Sequence, residues 1–245
     1  MGASIVQISP DKVVKSVCVH ATEAFNMEFV RAHTGINVPA VHLVFARAGV
    51  TYIVMDYIRG RTVQEAWDSL DGPQRHSVVS QVASALAELR SLPPSTIPGP
   101  CGSDGKSKLR GRYFTDYGAG PFRTHHDLAA WLNAKLLVAR KTNANAAEGR
   151  SAFDGSRALV FTHHDIAPRN LIIDDGGRVW LIDWELSGWY PEYFEYACIV
   201  SDVGVPEVRP PTGWNEAILS QMTAYEEEYA MLGSIAWVLD TMPFA

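Results

Sequence analysis

Two short runs rich in β-branched residues open the chain. Residues 5–8 and 12–17 predict two strands, and Ser9-Pro10-Asp11 between them supplies the turn chemistry of a hairpin. A helical period then follows. Residues 22–33 predict a helix capped by Thr22, with Glu23, Met27 and Val30 on one face. Two further strands follow at 43–46 and 51–57, split by a turn at Ala48-Gly49, and Gly60 closes this first block. Beyond it the pattern is helical. Val78, Val79, Val82, Leu86 and Leu89 recur at helical spacing until Pro93-Pro94 stops the run.

Residues 95–121, rich in Gly, Pro and Ser, predict a long irregular stretch that is functional or mobile. Thr124 and Asp127 form a capping box for a helix carrying Leu128, Trp131, Leu132, Leu136 and Ala139. Residues 142–156 again read as loop, and 171–184 as a second hairpin. One helix with Trp214, Ile218, Met222, Tyr225 and Tyr229 on a face is expected to close the chain. Strands and helices do not alternate, so a doubly wound sheet is not expected. The prediction is α+β: a small strand-rich lobe over residues 1–58 and a mainly helical lobe over 59–245.

Composition narrows the function classes. The chain has 245 residues, 47% of them hydrophobic, enough for a self-supporting core. Cys18, Cys101 and Cys198 lie far apart without a CxxC pair, which excludes a disulfide scaffold or zinc ribbon and suits a reducing, cytoplasmic setting. The net charge of −6 argues against a nucleic-acid partner. No apolar run reaches membrane-spanning length, and neither a signal peptide nor a myristoylation signal is expected at the N-terminus.

The informative segment runs from Thr162 to Glu185. With a Gly176-Gly177 turn, Asn170 falls directly opposite Asp183; with an Asp175-Gly176 turn the two become diagonal neighbours. Either register brings an amide oxygen and a carboxylate close enough to share a hard cation such as Mg²⁺. Asp165 sits five residues earlier, in a loop that Pro168 keeps from being helical. A carboxylate base beside two oxygen ligands is what phosphoryl transfer requires, because its catalysis is positioning plus charge neutralisation.

Other motifs carry less. Gly105-Lys106-Ser107 fails as a phosphate-binding loop, because the required first glycine falls on Pro100. His163-His164 and His125-His126 do not fit a helix-borne metallohydrolase, and no G-x-S-x-G elbow supports a serine hydrolase. Glu226-Glu227-Glu228 reads as a solvated helix face.

His163-x-Asp165-x4-Asn170 followed by Ile182-Asp183-Trp184-Glu185 resembles the catalytic loop and metal motif of the aminoglycoside phosphotransferase and choline-kinase-like family, within its fungal-type phosphotransferase branch. The resemblance continues through Val13-Val14-Lys15, Glu23-Ala24, Ile36-x-Val38-Pro39, residues 53–60, Leu89-Arg90-Ser91-Leu92 and Gly120-Pro121-Phe122. It implies a bilobal protein-kinase-like fold with a reduced N-terminal lobe, and an ATP- and Mg²⁺-dependent kinase acting on a hydroxyl of a small molecule.

On that resemblance Asp165 would meet the acceptor's proton, Asn170 and Asp183 would hold Mg²⁺, and His163 would buttress the loop. Lys15 would contact the phosphates and pair with a helix glutamate. Of Glu23 and Glu28, the inward face selects Glu23. Met55, Asp56, Tyr57 and Ile58 would form the hinge that reads adenine through its backbone. Trp184, Trp189 and Tyr190 are expected to edge the acceptor pocket, and Glu185 to approach the metals. The usual first strand and glycine-rich loop are expected to be cut to Gly2-Ala3-Ser4. The competing expectation is a kinase-fold protein without kinase activity, its cleft serving binding or other chemistry.

Overall fold

The computed structural model describes residues 4–17, 22–102, 108–115, 117–142, 152–201 and 209–242. Gly2, Ala3, Cys18 and Gly105-Lys106-Ser107 lie outside these residues.

The chain opens with the predicted hairpin, β1 (Ser4–Ser9) and β2 (Lys12–Val17), turned through Pro10-Asp11. Helix α1 (Thr22–His33) leads to a second hairpin, β3 (Val41–Arg47) and β4 (Val50–Asp56). Ala48 and Gly49 both take positive φ, the mirror-image turn whose twist matches that of the strands it joins. The four strands make one antiparallel sheet in the order β1-β2-β4-β3. In this register Lys15 lies opposite Ile53 and Val13 opposite Met55. Because side chains alternate across a strand, Val13, Lys15, Ile53 and Met55 share one face. That face packs with Ala24, Met27 and Val30 of α1.

The second lobe is mostly helical. Strand β5 (Gly60–Thr62) precedes α2 (Val63–Ala66) and α3 (Gly72–Ser91), whose Asp71 and Gln74 form a reciprocal capping box. The predicted box at Thr124 and Asp127 opens α4 (His125–Thr142), with both reciprocal hydrogen bonds present. Strands β6 (Val160–Thr162) and β9 (Gly188–Tyr190) pair with each other. Between them lies the informative hairpin, β7 (Leu171–Asp174) and β8 (Val179–Leu181). Strand β5 adds to its edge in the order β5-β7-β8, although Gly60 reads in the sequence only as a stop. Gly60 is required there because a Cβ would collide with the carbonyl of Ile173.

One expectation is corrected. The closing helix is two helices, α6 (Trp214–Leu219) and α7 (Glu226–Thr241), with α5 (Tyr193–Ser201) before them. The helical spacing of apolar residues continues through 220–225. There, however, Ser220 and Thr223 are both poor helix formers. The described part of 95–121 is irregular but well packed. Leu109, Tyr113, Phe114 and Ala119 are buried against α4, α5 and α7, and Leu109 pairs with Ala119 as a bridge.

One core joins the sheet and α1 to α3, the β7–β8 hairpin and Trp184. A second lies among α4, α5 and α7. The fold is α+β and bilobal, a small sheet lobe on a larger helical one. Among the described residues no helix is long and apolar enough to cross a membrane.

Asn26 ties α1 to the helical lobe. Its side-chain amide donates to the carbonyls of Trp184 (2.8 Å) and Ser187 (2.9 Å) and accepts from the Cys101 N–H (2.9 Å). The residue is fully buried, so removing it strands three backbone groups away from water. Replacing Asn26 by Leu should cost about 2–4 kcal/mol of unfolding free energy, read by chemical denaturation. A loss below about 1 kcal/mol would show that this tie is not holding the lobes.

Candidate active site

The site is assembled on one lysine. Lys15 on β2 donates to Glu23 Oε1 on α1 (2.8 Å) and to Asp183 Oδ1 just beyond β8 (2.6 Å). Lys15 and Glu23 are buried, whereas the Asp183 side chain is 35% exposed. Glu28 is exposed on the other face of α1, so the geometry gives Lys15 the glutamate that its helix face predicts.

Burial alone would discharge the Lys15 ammonium. The carboxylates of Glu23 and Asp183 outweigh it and hold the lysine charged, above its ordinary range. Glu23 is pushed up to about 7 by burial, against the pull of Lys15, with Asp183 and Glu185 adding repulsion. Glu23, Asp183 and Glu185 bring carboxylate oxygens within 4.8 Å of one another. Glu23 Oε2 is buried without a hydrogen-bond partner. Three carboxylates around one ammonium, with a buried oxygen unsatisfied, fit a hard divalent cation.

The β7–β8 register differs from both expected ones. Leu171 pairs with Leu181 and Ile173 with Val179, so Asn170 meets Ile182 through the Ile182 N–H (3.0 Å) rather than Asp183. The turn is the cause. It holds three residues, Asp175-Gly176-Gly177, because the Asp174 carboxylate accepts from the N–H groups of both Gly176 and Arg178. Asp183 then takes a positive φ of 65°, which an aspartate tolerates, and turns toward Lys15. Asn170 and Asp183 still line one cleft.

The loop before Asn170 is held from several sides. His163 is fully buried over Trp184, with its Nε2 on the Ile182 carbonyl (3.0 Å). Burial lowers its pKa, so the ring is neutral. Glu195 on α5 accepts the His163 N–H (2.6 Å) and the His164 N–H (3.0 Å). Pro168 starts a single 3-10 turn to Asn170, which brings Asn170 Nδ2 within 2.8 Å of Asp165 Oδ2. With its nitrogen committed there, the amide's oxygen is the atom left for a cation. The Arg169 guanidinium also reaches Asp165.

A cleft of about 400 Å³ opens between the lobes. Ile5, Val13, Pro39 and Met55 line it from the small lobe; Ile172, Ile182, Arg169 and Asn170 line it from below, and Lys15, Glu23 and Asp183 also reach it. Asp56, Tyr57 and Ile58 are at its wall. Two hinge donors are already used inside the protein, the Asp56 N–H on Ala40 and the Tyr57 N–H on Asp11. The Asp56 carboxylate is likewise occupied by the Ala40 N–H and His42.

Trp184 and Tyr190 do not edge an acceptor pocket: both are core side chains, under His163 and among Phe114 and Phe194. Trp189 is packed on Phe29 and Phe161. Their apolar bulk is used in the interior before any of it reaches a cleft. Three side chains with clear partners here are not singled out by the motif. Arg169 was legible as the i+4 neighbour of Asp165. Glu195 was legible as a lone acid inside the apolar run Tyr193–Ile199, and Asn26 as a polar residue on the inward face of α1.

Glu195 gives a pH-dependent expectation. Complete burial, opposed by its two backbone N–H partners, raises its carboxyl to about 7. A raised pKa means that the contribution to stability is greatest in acid and is lost as pH rises through the folded value. Between about pH 4.5 and 7 the native chain should lose about 3 kcal/mol relative to its Glu195→Gln variant, measured by denaturant midpoints. Parallel pH profiles would contradict this environment for Glu195.

Among curated protein sequences, none matches the chain. Solved structures of similar fold include an apo thermostable mutant of aminoglycoside phosphotransferase APH(4)-Ia, at 15% identity and a TM-score of 0.56, covering 98% of this chain and 87% of that one. A type VIII aminoglycoside-3′-phosphotransferase gives 17% identity and 0.56, over 96% and 94%. ADP-bound APH(2″)-Ib gives 12% and 0.58, over 100% and 88%. These likenesses establish the protein-kinase-like fold. A sequence model of the phosphotransferase enzyme family matches residues 20–231, and the chain belongs to that family.

Proposed function

We propose that the chain is an ATP- and Mg²⁺-dependent O-phosphotransferase acting on a hydroxyl of a small molecule. The observation that carries this reading is Lys15, charged and shared between Glu23 and Asp183, at a cleft whose other wall holds Asn170 and the Asp165 loop. A lysine tethered between two carboxylates cannot wander, so its charge is fixed where a polyphosphate would enter.

In this reading the adenine lies between Ile5 and Val13 above and Ile172 and Ile182 below, where apolar burial favours a flat ring. The Ile58 N–H, beyond the end of β4, is the backbone donor that would meet its edge. Lys15 binds the inner phosphates. Asp183, with the Asn170 amide oxygen and Glu185 nearby, would hold Mg²⁺, which supplies neutralisation of phosphate charge. Asp165 orients the acceptor hydroxyl and receives its proton as the oxygen bonds to the γ-phosphorus and the bond to ADP breaks. The buried ring of His163 and the Glu195 carboxylate keep the loop, and so Asp165, in place.

Mg-ATP at 100 times its Kd should stabilise the protein by about 2.7 kcal/mol, raising its melting temperature by about 5–10 °C. Asp165→Asn should keep that shift while losing phosphate transfer in a screen of hydroxylated metabolites. No shift at millimolar Mg-ATP would favour the binding-protein reading, and full transfer by Asp165→Asn would remove the assigned role.

A further inference from the structure

The charges around the cleft do not balance with Lys15 alone. Glu23, Asp183 and Glu185 crowd one another, and Asp165 adds its charge to theirs at Glu185. A polyphosphate would add several more negative charges to the same space. His163 and His164 contribute no compensating charge, since both are buried and neutral, with His164 held down at about 4 by burial. Ala167 and Pro168 offer no side-chain donor, and Ile166 and Ala167 point into the core. The cation that this loop does carry into the cleft is Arg169.

Its placement follows from the local chain. The 3-10 turn Pro168–Asn170 folds Arg169 back by four residues, so that one terminal guanidinium nitrogen lies 2.7 Å from Asp165 Oδ1 and 3.0 Å from Oδ2. Asn170 Nδ2 reaches Oδ2 from the other side at 2.8 Å and also binds the Asp165 carbonyl at 3.0 Å. The carboxylate is therefore gripped at both oxygens. Its side chain is 21% exposed and that of Arg169 is 35% exposed, and Arg169 lines the cleft. The pair spans four residues of one loop and joins no separate elements, which leaves orientation as its consequence.

We infer that Arg169 is a positioning residue for phosphoryl transfer: it fixes the Asp165 carboxylate for the acceptor hydroxyl. This rests on the phosphotransferase reading above. Arg169 acts through Asp165. Its removal should slow the transfer step while nucleotide binding, carried by the apolar walls, Lys15 and Asp183, remains.

The test uses the full chain and its Arg169→Ala and Arg169→Gln variants. Transfer of the γ-phosphoryl is measured to water and to any acceptor found by the metabolite screen, and Mg-ADP binding is measured by calorimetry. Both variants should lose about 100-fold in turnover at saturating Mg-ATP, with Mg-ADP affinity held within about threefold. Guanidinium ion, at concentrations that do not unfold the protein, should restore part of the Arg169→Ala turnover. Sodium chloride at equal ionic strength should not, and guanidinium should not restore Asp165→Asn. Turnover equal to the native chain, affinity falling in step with turnover, or absence of guanidinium rescue would each overturn the inference. If the native chain binds Mg-ADP but transfers phosphate to neither water nor any acceptor, the phosphotransferase reading itself falls, and this inference with it.

Discussion

A buried ammonium that must find two carboxylates at once constrains how the parts of this fold meet. Lys15 comes from a strand, Glu23 from a helix, and Asp183 from the turn after a hairpin 168 residues further along the chain. Taking such charges out of water is costly unless the geometry is good, and losing one partner leaves the others uncompensated. The sheet lobe, α1 and the β7–β8 hairpin therefore have to arrive in one arrangement. Asn26 strengthens it, bonding α1 to the backbone of Trp184 and Ser187 in the segment after Asp183. The same side chains that fix the lobes leave an excess of negative oxygen atoms facing the cleft. Phosphotransfer uses such an excess to collect a cation, so the proposed chemistry and the folding constraint share one set of residues.

The loop from His163 to Asn170 is held by a different principle. Its anchors are neutral or shielded: a buried imidazole on a carbonyl, a buried carboxylate on two backbone N–H groups, and the Ser187 hydroxyl on the His163 carbonyl. His164 sits at a positive φ of 69° inside a ring of Tyr190, Phe194 and Phe114. Side chains that meet no reactant fix the backbone, and the residues aimed into the cleft are then few. A rigid second layer of this kind suits a reaction in which positioning is most of the catalysis.

Much of this was legible in the sequence, for physical reasons that differ from place to place. The first four strands and α1 follow from clean periodicity and turn chemistry, and the capping boxes from side chains that act within one turn. Glu23 could be chosen over Glu28 because a helix face is a local property. The hairpin register could not be read, since it depends on the Asp174 carboxylate closing a three-residue turn, a contact that the pattern of apolar residues does not encode. The break between α6 and α7 escaped for a related reason: the apolar periodicity runs through it, while Ser220 and Thr223 are poor helix formers. Trp184 and Tyr190 were misplaced because an aromatic beside a motif gives no sign of which side of the backbone it occupies. Arg169 and Glu195 carry a local sequence signal, but the groups that they hold, the Asp165 carboxylate and the His163 and His164 N–H groups, are identified only in the folded chain.

The shared lysine can be observed directly. A ¹H–¹⁵N spectrum of the lysine ammonium groups should contain one strongly protected resonance, absent in Lys15→Arg, that stays protonated above the ordinary lysine range and moves in both Glu23→Gln and Asp183→Asn. A Lys15 resonance that exchanges with water as fast as the surface lysines, or that ignores either substitution, would contradict the account.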